Sequence, residues 1–333
     1  MSAARVRVAS IGVGWWSGVL CDAARKGTGL EVVACTARSP EPRAAFATKH
    51  GCRGVESFEA VLADRDVEGV LIATPHTAHA EQVIAAARAG KHVFVDKPFT
   101  LTAADARRAT EACRQAGVVL AVGQQRRRLA AYRALKRMID AGELGKVVQI
   151  EGNFSADIGF TFTPAMWRGA RAEAPGGAMT NLGIHHVDTY QYLAGPIISV
   201  MAMVKRVALT AVDIDDTSGI LFEFASGALG YLGTAWVYAN RTNTLTVHGT
   251  EAQGWAEADG ARLHVARRGQ AERAAVPLPP VDAVAEQLAE FARCVREGGR
   301  PEVGGEEGTA AIAVLDAIVE SAASGRAVAV RQR

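Results

Sequence analysis

From residue 5 to about 123, short apolar runs rich in β-branched residues alternate with longer Ala- and Arg-rich stretches. The strand candidates are VRVASI (6–11), LEVVACT (30–36), VEGVLIAT (67–74), HVFVD (92–96) and VVLAVG (118–123). Between them, TAHAEQVIAAARAG repeats Ala80, Val83, Ile84 and Ala87 at helical spacing and stops at Gly90. Strands that alternate with helices predict an α/β domain, a doubly wound parallel sheet of Rossmann type. Beyond about residue 145 the period changes to alternation, in KVVQIEGNFSA, SVMAMVKRVAL, SGILFEFASGALGYLGTAWVYA and NTLTVHGT. That texture predicts a C-terminal α+β domain with a large, mostly antiparallel open sheet covered on one face. Two further helical patterns, about 282–297 and 305–324, are compatible with packing on either domain. The expected division is therefore a dinucleotide-binding domain over 1–126 and a substrate-binding and oligomerisation domain over 127–333, the late helices being free to pack back on the first.

Composition narrows the function. With 333 residues, 49% of them hydrophobic, the chain can bury two cores. Its 37 basic and 35 acidic side chains nearly cancel, so nucleic acid and anionic membranes are not the expected partners, and a small molecule is. The cysteines at 21, 35, 52, 113 and 294 form no CxxC pair, which argues against a disulfide framework or zinc site and fits a reducing compartment. The first strand begins without the apolar region of a signal peptide, and no long uncharged apolar run follows. A soluble cytoplasmic protein is expected. His76 and His79 at i, i+3 lack further ligands for a metal, and Asp213, Asp215 and Asp216 lack the spacing of a calcium loop, so no metal is assigned and the aspartates are read as a sheet-edge or interface feature.

SIGVGWWSG, directly after the first strand, sets Gly12, Gly14 and Ser17 at the spacing of a dinucleotide fingerprint with Ser in the third small position. The first glycine permits a tight turn and the second a close approach of backbone to pyrophosphate at a helix N-terminus. Trp15 and Trp16 are candidates to cover the cofactor or to enter the core. An NAD site places an acidic residue at the end of the second strand for the ribose 2′-hydroxyl. Here CTARSP offers none; Thr36, Arg38 and Ser39 suit a 2′-phosphate instead, so NADP is preferred and NAD stays possible.

IGVGWW, IATPHTAHAEQVIAAARAGKHVFVDKP and GGAMTNLGIHHVDTYQYLAG resemble, in order and spacing, the Gfo/Idh/MocA family of NAD(P)-dependent oxidoreductases, and the resemblance covers nearly the whole chain. It implies hydride transfer between NADP(H) and a carbinol or carbonyl carbon of a sugar, cyclitol or related polyol. It also implies a homodimer or homotetramer assembled through the C-terminal sheet. The family's EKP motif falls on Asp96, Lys97 and Pro98, placing Lys97 beside the nicotinamide and the reacting oxygen. Thr74 and Pro75 take the place of the turn that lines the cofactor groove, with His79 at the family's histidine position. VGQQRRR implies Gln125 and Arg126 near nicotinamide and substrate, and MWRG implies Trp167 and Arg168 near the cofactor. The DxxxH motif falls on Asn181 and His185, so two positions depart from the common pattern: Asn stands for Asp at 181, and Asp for Glu at 96.

Oxidation of a carbinol needs a base for the hydroxyl proton and a positive donor for the developing alkoxide. His185 suits the first role and Lys97 the second, with Asn181 beside the histidine. His186 points about 100° away on the helix and is read as structural, since one turn takes 3.6 residues. Asp188, three residues after His185, is a candidate to stand in for the missing acid. The basic run QQRRRLAAYRALKRM is read as a solvated helix face whose first arginines lie near the substrate. Alternatives to a sugar or cyclitol substrate are a non-sugar diol such as a trans-dihydrodiol, a glycosidase-type reaction using NAD, and a non-enzymatic nucleotide-binding sensor.

Overall fold

A computed structural model describes residues 5–331. The chain divides into two compact units, one running to Gln125 and taking in Asp282–Thr309, the other covering Arg126–Val281 and continuing from Ala310. Among the described residues no helix is long and apolar enough to cross a membrane.

In the first unit β1 (Val6–Ile11), β2 (Leu30–Thr36), β3 (Arg53–Val55), β4 (Gly69–Ile72), β5 (His92–Asp96) and β6 (Leu120–Gly123) form one sheet in the order β3-β2-β1-β4-β5-β6. Every pairing is parallel, as the alternation of strand and helix requires. The connecting helices are α1 (Trp15–Ala24), α2 (Pro40–His50), α3 (Phe58–Ala63), α4 (His79–Arg88) and α5 (Ala103–Ala116). Their starts follow local chemistry: Ser57 and Thr102 accept from the backbone N–H three residues on, and Gly51 and Gly117 end α2 and α5 in the left-handed region. The short edge strand β3 carried no sequence signal, because three residues are too few to show a period.

The second unit is built on nine strands. They are β7 (Val147–Ser155), β8 (Ile197–Lys205), β9 (Thr217–Phe224), β10 (Leu229–Ala235), β11 (Thr242–Gly249), β12 (Ala252–Glu257), β13 (Arg262–Arg267), β14 (Ala274–Ala275) and β15 (Val328–Ala329), in the order β14-β13-β12-β11-β7-β10-β9-β8-β15. Only β7 with β10 is parallel. Alternation decides which face is covered: Ile150, Phe222, Leu232 and Leu245 are buried, whereas Met201, Leu221 and Tyr231, directly opposite one another across β8, β9 and β10, are exposed. The covered face carries α6 (Ala130–Asp140) and α7 (Ile184–Ala194), the latter so close at Gly152 that a Cβ there would sit 2.7 Å from the Tyr190 hydroxyl. The three aspartates hold a loop. Asp216 accepts from the backbone N–H groups of Val207, Ala208 and Leu209, while Asp213 and Asp215 pair with Arg171.

The late helices, left free to pack on either domain, divide between the two units. Helix α8 (Ala283–Glu297) belongs to the first unit, where Leu288, Phe291 and Ala292 bury with Val6, Val8, Leu30 and Phe94. The Phe291 and Phe94 rings meet edge to face at 6.0 Å. Arg296 adds a forked pair to Glu68 at 2.7 and 2.9 Å, which pulls that carboxyl down to about 2. Helix α9 (Gly305–Ser324) starts in the first unit, where Gly308 leaves room for Phe99 and Val122, and continues in the second. Phe291→Ala should therefore destabilise the first unit by about 3–5 kcal/mol, the usual cost of emptying a buried aromatic site. A urea titration that found an unchanged midpoint would remove α8 from that core.

Candidate active site

The glycine turn after β1 has the shape a dinucleotide requires. Gly12 has φ +97°, and a Cβ there would lie 2.7 Å from the Ala73 carbonyl oxygen, so both conformation and space exclude a side chain. Its N–H donates to the Thr36 carbonyl at 3.0 Å, and the Ser10 hydroxyl donates to the Gly12 carbonyl at 2.9 Å. Gly14 caps α1 and has open space around its missing side chain. The buried Ser17 hydroxyl has no hydrogen-bond partner, whereas the Trp16 side chain faces the Asp96 carboxyl. A turn that only glycine fits, an open helix N-terminus and an orphaned hydroxyl fit a bound pyrophosphate. The two tryptophans divide the roles left open above: Trp16 packs against the core, and Trp15 is 76% exposed.

At the end of β2, Thr36 is buried and Arg38 and Ser39 are exposed, Ser39 preceding the proline that opens α2. Arg43 fixes this loop by donating to the Ala37 and Glu56 carbonyls, a contribution without a motif to announce it. At the ends of β4 and β5, the Thr74 hydroxyl donates to Gln82 and Pro75 precedes a short 3-10 turn. Asp96 closes β5 opposite Gly123. Burial pushes its carboxyl upward from the ordinary range, and the charges of Lys97 and His79 pull the other way. Lys97 follows, half-buried, joined to the buried Pro98 by a cis peptide. His79 is 0% exposed, with its ring nitrogens against the carbonyls of Thr74 and Pro98. Gln125 ends the first unit with its buried Oε1 lacking a partner.

In the second unit, Asn181 and His185 stand at the start of α7, both buried. Asn181 lies in a π-helical turn, Met179–Gly183, that no sequence period revealed. Gly183 permits it, since a Cβ there would collide with Met179 Sδ. The Phe154 ring lies 5.7 Å from both His185 and His186. His186 is the structural member of the pair: its Nε2 faces the Thr244 carbonyl at 3.1 Å, and burial, reinforced by the Arg126 charge, lowers it to about 3. Arg168 stacks over the half-buried Trp167 at 4.3 Å.

The basic run is not a solvated face at its start. Arg126, Arg127 and Arg128 are buried because each guanidinium has something to hold. Arg126 meets Asp259 at 3.1 Å and lies over Phe154, and Arg127 forks onto Asp188 at 2.9 and 2.5 Å. Asp188 therefore anchors α7 through Arg127. Asp259, which also accepts from Asn243 and pairs with Arg241, was invisible in the sequence because it lies more than 130 residues from Arg126.

These features define a dinucleotide-dependent dehydrogenase fold with an α+β partner domain. Residues 6–124 match the oxidoreductase family with an NAD-binding Rossmann fold, and residues 132–253 match the GFO/IDH/MocA C-terminal domain. The chain is similar to 1,5-anhydro-D-fructose reductase of Ensifer adhaerens, 31% identical over 91% of this chain and 92% of that one. It is 26% identical to D-xylose 1-dehydrogenase [NADP(+)] of Haloarcula marismortui, over 95% and 91% of the two chains. Its structure superposes on levoglucosan dehydrogenase in complex with NADH with a TM-score of 0.92, at 26% identity over 99% and 100% of the chains. The chain belongs to the Gfo/Idh/MocA family and is an NAD(P)-dependent oxidoreductase.

The Arg127–Asp188 pair yields a test of the anchoring role. Asp188→Ala removes the carboxylate that a buried guanidinium forks onto and should cost about 3–5 kcal/mol, whereas an Arg127→Met, Asp188→Leu double variant should recover most of that loss. Urea unfolding of the three proteins checks it; an Asp188→Ala protein as stable as the parent would refute the anchor.

Proposed function

We propose that the chain transfers a hydride between NADP(H) and one carbinol or carbonyl carbon of a sugar, cyclitol or related polyol. The carrying observation is Lys97, set directly after a buried carboxylate at the carboxyl end of β5, in the same sheet whose first strand ends in the glycine turn. Ligands of open parallel sheets gather at those strand ends. The named relatives act on carbohydrates, an anhydrofructose and levoglucosan among them, which supports the substrate class.

The nicotinamide cofactor supplies or accepts the hydride when bound. Lys97 donates to the oxygen as it gains negative charge, and His185 takes the hydroxyl proton in oxidation or returns it in reduction. Asn181 orients the histidine without adding a charge to it. Gln125, Arg126, Trp167 and Arg168 bind nicotinamide or substrate, and Thr74, Pro75, Trp15 and Pro98 border the cofactor. NADP is the preferred form because the end of β2 carries Arg38 and two hydroxyls, Thr36 and Ser39, in place of a carboxylate. The exposed Met201, Leu221 and Tyr231, with Met203 70% exposed beside them, support a second copy of the chain packing on the open face of the large sheet.

A panel of sugars, cyclitols and diols, followed at the absorbance of reduced nicotinamide with NAD and NADP in parallel, tests the reading. NADP should be turned over more efficiently, and Arg38→Ala should raise its KM about 10-fold or more, the worth of one charge-assisted bond, while leaving NAD unaffected. Preference for NAD, with no response to Arg38→Ala, would reverse the cofactor assignment.

The amide at 181 yields a pH prediction. A carboxylate favours imidazolium, so Asn181→Asp should move the rising limb of the oxidation rate upward by about one pH unit. An unmoved profile would mean that position 181 does not sense the charge of His185.

A further inference from the structure

We propose that His79 is a positioning residue that works as a buried imidazolium, its two ring N–H groups holding the Thr74 and Pro98 carbonyls and thereby fixing the turns on either side of Lys97. The importance given to Lys97 rests on the function proposed above; the protonation state does not.

The geometry leaves little choice. His79 is 0% exposed, its Nδ1 lies 2.9 Å from the Pro98 carbonyl oxygen, and its Nε2 lies 3.0 Å from the Thr74 carbonyl oxygen. A carbonyl oxygen can only accept. Neutral imidazole has one N–H, so either neutral tautomer would press a nitrogen lone pair against an oxygen lone pair at hydrogen-bond distance. The cation supplies a donor to both and leaves neither nitrogen opposed.

Charges of both signs surround the ring. Asp96, at the end of β5, is the acidic group that feels the charges of both His79 and Lys97; burial pushes its carboxyl upward, and those two charges pull it back toward the ionised form. Against the cation stand Lys97 and the N-terminus of α4, where His79 is the first residue and the helix dipole disfavours positive charge. His76, whose ring lies 5.7 Å away edge to face, is the other titratable group on that side. Two charge-assisted bonds made in a site closed to water outweigh one like charge and one partial dipole.

The consequence concerns the turns. Thr74 follows β4 and Pro98 follows β5, so one side chain ties the ends of two neighbouring strands, and the residue before Pro98 is Lys97. A neutral side chain in place of His79 loses at least one tie. Lys97 then samples positions away from the one required, which costs turnover more than binding.

Nuclear magnetic resonance on the full-length protein with 15N-labelled histidine tests the protonation state without any turnover. At about pH 8, above the ordinary histidine value of about 6.5, one of the eight histidines should keep protons on both ring nitrogens, and that signal should vanish in His79→Gln. Neutral tautomers for all eight at that pH, or a doubly protonated signal that persists in His79→Gln, would overturn the imidazolium. Kinetics test the positioning role: His79→Gln should lower kcat by about 10- to 100-fold, with KM for NADP moving less. A folded His79→Gln protein with unchanged kcat would overturn it. Should that variant not fold, the spectrum of the parent protein still decides the protonation state.

Discussion

The first unit depends on how closely its backbone segments approach at the carboxyl ends of the parallel strands. Gly12 has no room for a Cβ because the Ala73 carbonyl after β4 is already there, and its N–H is committed to Thr36 at the end of β2. His79 continues the series by joining the residue after β4 to Pro98 after β5. The ends of β2, β1, β4 and β5 are thus fixed to one another in sequence, each link a short polar contact in a place with little water. Such contacts are strong where the dielectric is low, and leaving one unmade is costly. Lys97 inherits its position from that chain of contacts.

The second unit ties its segments together with charge pairs built on buried arginines. Arg127 and Asp188 join the 3-10 turn at Gln125–Arg128 to α7, and Arg126 and Asp259 join the same turn to the segment after β12. Asp259 reaches that position with φ +58°, and Ala258 before it has φ +50°, a left-handed pair that only a well-determined surrounding sustains. His186, neutral and bonded to Thr244, ties α7 to β11 on the other side. His185 therefore sits on a helix start held from two directions.

Strands with one buried face or two, and helices with a clear apolar stripe, were legible. The ends of β1, β2 and β5 fall where the apolar runs stop, and α8 and α9 fall where the periodicity placed them. The glycine turn was legible because its constraint is local. Contacts between distant residues were not. Nothing in QQRRR distinguishes an arginine that faces water from one that meets Asp188 some sixty residues on, and nothing in VDAVAEQLAEFARCVRE says which core Phe291 enters. The π turn at Met179–Gly183 was hidden for another reason: it interrupts a helical period that the same residues otherwise keep. His79 was found as a position but not as a role, because a motif records that a histidine is present and not which atoms its nitrogens face.

The amide at 181 has a physical reason within this arrangement. Asn181 is 4% exposed, and a carboxylate buried to that degree needs a cation or several donors to remain charged. Two cations of the same unit are already held in fixed pairs, Arg127 by Asp188 and Arg126 by Asp259. A carboxylate at 181 would add a desolvation cost that these pairs do not offset, and it would favour the imidazolium form of a histidine proposed to begin oxidation as a base. An amide keeps the hydrogen-bonding shape of the side chain without that charge. On this reasoning Asp188 and Asn181 are complementary: one position carries the charge and is consumed in holding the helix, and the other stays neutral near the histidine proposed to move the proton.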